Sequence, residues 1–327
     1  MVRTMVRLFV GQLPDWARRD HPVLHHELGI APKVSWQARY ARAFGAIVVA
    51  ALLLVVGYVI ATDRLNHPAG GTSVESINAT LFWVLILLQI ILSIAALTGT
   101  SNFVGDEMRR QNWDNLRATE QGAEMAMRAR WVAVFYRLRG LLGVVLLARA
   151  LLIALMLWEL TAFQGRYLDL LINGIVPEVP LVAAVLLVSF MMTASLLLPL
   201  TTVGFDAAVG LVVSALVQQR TYSTLVQGVL IFLRIGVMVL LFFGANLFLT
   251  GQLFQSSDAG AWLLITATSA VADWGLTFLN LTRSSEIWAT IPYGILIGLV
   301  LLVLALVQAA VADRLLLLAV RVAQKKG

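Results

Sequence analysis

Six stretches of this chain are so long and so apolar that they dictate its solvent before its fold. A helix needs roughly 20 mainly apolar residues to cross the hydrocarbon core of a bilayer. Residues 43–62, 79–101, 141–163, 180–203, 226–250 and 290–312 each reach that length. Only 13% of the 327 residues are charged and 60% are hydrophobic, against roughly 25% charged in a soluble domain. The sequence therefore predicts an all-α integral membrane protein with six transmembrane helices. A seventh apolar stretch, 261–281, contains Asp273 and several hydroxyl residues. It reads as a re-entrant or outer-side helical element before the last crossing, with a full seventh crossing as the alternative.

Lys and Arg choose between these topologies, because cytoplasmic loops carry the excess of positive charge. Segments 1–42, 102–140, 204–225 and 313–327 together hold nineteen of them, while 63–78, 164–179 and 251–289 hold three. That asymmetry predicts both termini on the cytoplasmic side of a plasma membrane. Six crossings keep the basic tail, 313–327, inside; seven would export it. The net charge of +6 is explained by these flanks, so nucleic acid is not an expected partner.

Two cytoplasmic pieces carry more than loop chemistry. Residues 23–42, with Trp36, Tyr40 and several bases, read as an interfacial amphipathic helix broken at Pro32, within a cytoplasmic N-terminal segment, 1–42. Residues 106–139 are rich in Met, Ala, Arg, Glu and Leu, all good helix formers, and predict two short helices parted at Gly122. Catalysis is not expected. No phosphate-binding Gly-x-x-x-x-Gly-Lys-Ser/Thr loop, zinc-protease motif or nucleophile elbow occurs, and cysteine is absent. His21, His25 and His26 cluster before the first span without a further ligand, and no span holds a histidine. Neither a metal nor a haem or other cofactor is expected.

Two segments resemble the ABC-2 family of transporter permeases, the membrane subunits of ATP-driven exporters. His21-Pro22-Val23-Leu24-His25-His26-Glu27-Leu28 is similar to the NPVL..EL stretch that opens many of these permeases. The run from Glu107 through Trp113, Asp114, Leu116 and Arg117 to Thr119 is similar to the family's E…GTWE-LL-TP segment between the second and third crossings. The resemblance covers about 20 residues in motif and most of the chain in topology. It implies a permease fold, a coupling helix over 106–122 that docks a separate cytoplasmic ATP-binding subunit, and a second permease subunit, identical or related. Here Gln111-Asn112 replaces the family's Gly-Thr, Glu120-Gln121-Gly122 replaces Pro-Leu-Ser, and His21 replaces Asn.

Trp113, Leu116 and Thr119 recur every three residues and would share one helix face. Glu107, Asp114 and Arg117 lie beside them. The segment reads either as a docking face for the ATPase or as an aromatic at headgroup level among solvated charges. Arg149 and Arg234 sit inside the third and fifth spans, about 12 Å past their inner boundaries at the helical rise. Each either snorkels or bonds a neighbouring helix, or lines a path for an anionic substrate. Glu159 and Asp273 lie towards the outer side, where hydration accounts for them. The rival to transport is a structural or assembly subunit that retains the permease fold. A secondary transporter would need polar residues or a broken helix at the midplane, and Pro199 alone suggests one.

Overall fold

The computed structural model describes residues 14–18, 21–29, 74–109, 113, 122–162, 180–217, 219–249, 263, 267 and 296–325. Among them every regular element is helical. A single 3-10 turn, Asp15–Ala17, precedes α1 (Pro22–Leu28), α2 (Val74–Thr98), α3 (Phe103–Arg109), α4 (Gly122–Ala162), α5 (Leu181–Leu216), α6 (Arg220–Leu249) and α7 (Ile297–Lys325). Five helical stretches among the described residues are long and apolar enough to cross a membrane. The chain is thus a multi-pass α-helical membrane protein. The expected first span, 43–62, and the re-entrant stretch, 261–281, lie outside the described residues except for the helical Leu263 and Ala267.

The helices outrun their expected ends. Residues 122–139 are not a separate cytoplasmic helix but the first half of α4, which continues unbroken for 41 residues. The break does fall at Gly122, but nothing after it interrupts a run of good helix formers. The expected fourth span, within α5, likewise passes 203 and ends only at Leu216. Residues 207–216 are apolar and small, and a helix keeps their backbone groups paired. The basic tail from 313 is helical through Lys325, as the last part of α7. In the N-terminal segment, α1 begins with Pro22 at its first turn and stops at Gly29 (φ 68), three residues before Pro32.

Helix α5 is the axle. It packs against α2, α4 and, most extensively, α7, and small residues let the backbones approach. At Gly298 of α7 an added Cβ would run into the Leu187 carbonyl oxygen and the Met191 nitrogen of α5. At Gly210 of α5 it would strike Thr100 and the Leu97 carbonyl around the end of α2. Around these crossings lies one core containing Leu85, Leu92, Val145, Leu152, Met191 and Leu301. By contrast α6 is exposed over most of its circumference, including Phe232, Leu240 and Phe243.

The N-terminal turn and α1 form a clasp on α4. Leu24 is fully buried against Ala17, Ala129, Val132 and Ala133. Tyr136 Oη donates to the Ala17 carbonyl at 3.1 Å and Arg137 Nη2 to the Glu27 carbonyl at 2.7 Å. Arg130 pairs with the Glu27 carboxylate at 3.0 Å.

Replacing Gly298 with Val is expected to destabilise the bundle by about 1–3 kcal/mol, as overpacking does. Gly228→Val, where no atom lies within 4 Å of the new Cβ, is the control. A lowered thermal transition in detergent for the first variant and not the second is the expected outcome.

Candidate functional site: a buried ion pair beside a membrane-facing cavity

The continuation of α5 past 203 carries a carboxylate into the bundle. Asp206 is 2% exposed, in a helix with no other charge. Two neighbouring helices supply its partners: Ser93 of α2 donates to one carboxylate oxygen and Arg234 of α6 to the other. Arg234 stands halfway along α6. A lone charge at such depth is costly, whereas a paired and hydrogen-bonded one is tolerated.

Beside this pair a cavity of about 550 Å³ opens between α5, α6 and α7, with Leu97 of α2 at its back. Its walls are aliphatic except for Phe205, Asp206, Arg234 and Gln308. Gln308 of α7 is held in place by α5, accepting from Thr201 at 2.6 Å and donating to Thr202 at 3.3 Å. Each of the three polar side chains on the cavity wall is therefore also tied to a second helix.

Arg149, for which the sequence left open snorkelling, a bond to a neighbouring helix or a substrate path, bonds its neighbours. It is completely buried and absent from the cavity lining. Its Nη1 donates to the Ser195 carbonyl of α5, and its Nη2 approaches Gln89 Oε1 of α2 at 3.4 Å. The cause is Pro199, four residues after Ser195 and inside α5. Proline has no N–H, so the carbonyl four residues before it loses its helical donor. Arg149 supplies the missing bond from the next helix.

The segment between α2 and α3 is served in the same way. Tight backbone bonds such as Ser101 N to Leu97 O at 3.2 Å carry the chain around 99–102. The groups left over are taken by other helices. Arg130 Nη2 donates to the Gly99 carbonyl at 3.0 Å, Ser223 Oγ to the Ser101 carbonyl at 2.8 Å, and Val104 N donates to Ser214 Oγ at 2.7 Å.

Just beyond this turn lies the expected docking segment. Trp113 is 1% exposed, edge-on to Phe103 with ring centroids 6.5 Å apart. It packs in a cluster with Met127 of α4, Leu211 and Ala215 of α5, and Leu316 and Val320 of α7. Its indole therefore anchors the segment to its own bundle and is not presented to a partner. Glu107 is also buried, whereas Asp114, Leu116, Arg117 and Thr119 lie outside the described residues. The side chain of Glu159 and all of Asp273 lie outside them too.

Asp206, Ser93 and Gln308 were the residues that sequence reasoning passed over. Asp206 fell three residues past the expected end of the fourth span and read as a loop charge. The available signal was the apolar run of 207–216 behind it, which leaves no place for a loop.

No family model, curated protein or solved structure matches this chain.

Two charge substitutions test the site. Asp206→Asn is expected to destabilise the protein by about 3–5 kcal/mol, because it leaves the Arg234 charge without its counter-ion. Asp206→Asn combined with Arg234→Met is expected to recover most of that loss in detergent melts. Arg149→Met is expected to cost about 1–3 kcal/mol through the abandoned Ser195 carbonyl. Adding Pro199→Ala should return part of it, since alanine restores the helical N–H.

Proposed function

We propose that this chain is a membrane-spanning permease subunit of an ABC-2-like transporter. It works with a second permease subunit and with a separate cytoplasmic ATPase that docks on segment 106–122. The observation that supports this reading best is the seat of that segment. Trp113 of that segment, with Phe103 and Val104 just before it, is wedged among Leu211 and Ala215 of α5 and Leu316, Ala319 and Val320 of α7. The same two helices, one or two turns away, form the cavity wall at Asp206, Val209, Gln308 and Val311. A partner pushing on 106–122 acts at once on both helices, and so on the width of the cavity. Transport then consists of a population shift between two packings of the bundle, driven by the ATPase's own closure. The nineteen-to-three distribution of basic residues supports cytoplasmic termini, on the same side as that ATPase, and the resemblance to the permease family is the ground for a bacterial plasma membrane.

A second reading, a non-transporting assembly subunit with a permease fold, draws support from the altered coupling motif and from the inward turn of its Trp113. The two readings separate in one experiment. The tagged chain is purified from its native membrane in mild detergent and the co-purifying chains are identified. A stoichiometric subunit with a phosphate-binding loop is the expected result. Arg117→Glu, at normal membrane levels, should reduce its recovery at least severalfold. A membrane complex without an ATPase would overturn the transport reading in favour of the scaffold.

A further inference from the structure

The cavity beside Asp206 and Arg234 has a mouth whose position says where a ligand comes from. Leu233 and Val237 of α6 and Val307 and Val311 of α7 line it and are also exposed on the outside of the bundle. All four lie well inside apolar, membrane-length helices. Among the described residues the cavity is therefore bordered by side chains at the level of the lipid tails, which favours lateral entry. Its volume, about 550 Å³, falls within the roughly 300–1,000 Å³ typical of pockets for small organic molecules.

The polar wall specifies the head of that molecule. Asp206 already accepts from both Ser93 and Arg234, so it has little need of a further donor. Arg234 is under-used. A guanidinium has five N–H donors; among the described residues its one hydrogen bond goes to Asp206. Its side chain remains 23% exposed, against 3% for Asp206. The site thus has donors to spare and asks for an acceptor. A full negative charge is disfavoured, because Asp206 already neutralises Arg234 and a second anion would be buried beside it without a counter-ion.

We propose that the cavity binds an uncharged, membrane-partitioned amphiphile, with an ester or ketone oxygen accepting from Arg234 and an aliphatic tail along α6 and α7. If the permease reading above holds, this is the chemical class of its cargo. The binding itself requires no ATPase and is tested without one.

The purified full-length chain, reconstituted in lipid nanodiscs, is photolabelled with a long-chain fatty-acid methyl ester carrying a diazirine. Labelling is expected on 230–237 and 304–311 and is expected to disappear in Val307→Trp, which fills the mouth. Unlabelled methyl ester should compete about tenfold better than the alkane of equal length, the ratio that one net hydrogen bond supplies. The combined Asp206→Asn and Arg234→Met variant should retain labelling but lose that preference. Equal competition by the alkane would overturn the assignment of the head. Stronger competition by the free fatty acid would mean an anion site instead. Labelling spread evenly along the lipid-facing helices and indifferent to Val307→Trp would mean that no site exists. Each result stands whether or not an ATPase is found with the chain.

Discussion

Inside hydrocarbon there is no water to satisfy a backbone group that lacks a partner, and in this bundle neighbouring helices meet that demand at Pro199 and at the turn between α2 and α3. Pro199 breaks the ladder of α5 at the Ser195 carbonyl, and Arg149 reaches across from α4 to close it. The turn between α2 and α3 leaves three groups, and α4, α5 and α6 each take one. These bonds do more than repair. Because each donor or acceptor comes from a different helix, the interruptions fix which helices must be neighbours and at what height. Apolar packing alone, among side chains as greasy as the lipid they replace, would specify this poorly.

The same logic separates the two intramembrane arginines, which look alike in the sequence. Each lies at a similar depth in an apolar run. Arg149 is enclosed and directs its donors to backbone and amide oxygens, with a structural result. Arg234 meets a carboxylate next to open space. What distinguishes them is the environment contributed by α5: a proline opposite one and an aspartate opposite the other. Neither relation can be read along a single helix.

The apolar centres of the spans described here were legible in the sequence, since hydropathy over 20 residues leaves little choice of structure. Their ends were not. Residues 122–139 and 313–325 are charged enough to read as cytoplasmic segments, yet they continue α4 and α7. Hydropathy reports the solvent and not the end of the backbone ladder. Asp206 lies just past an expected boundary, within the expected cytoplasmic segment 204–225, yet α5 carries it into the bundle. For Trp113, three-residue spacing could not tell which side met protein. Its burial depends on Met127, Leu211 and Leu316, which are brought there by helices distant in sequence.

The unbroken course of α4 joins two anchored regions of the molecule along one line. At the helical rise its 41 residues extend about 60 Å, twice the hydrocarbon thickness of roughly 30 Å. One half is gripped by the clasp through Arg130, Tyr136 and Arg137, and the other carries Arg149. One backbone ladder, with Gly140 and Gly143 along it, thus joins the clasp to the bond that Arg149 gives the Ser195 carbonyl beside Pro199.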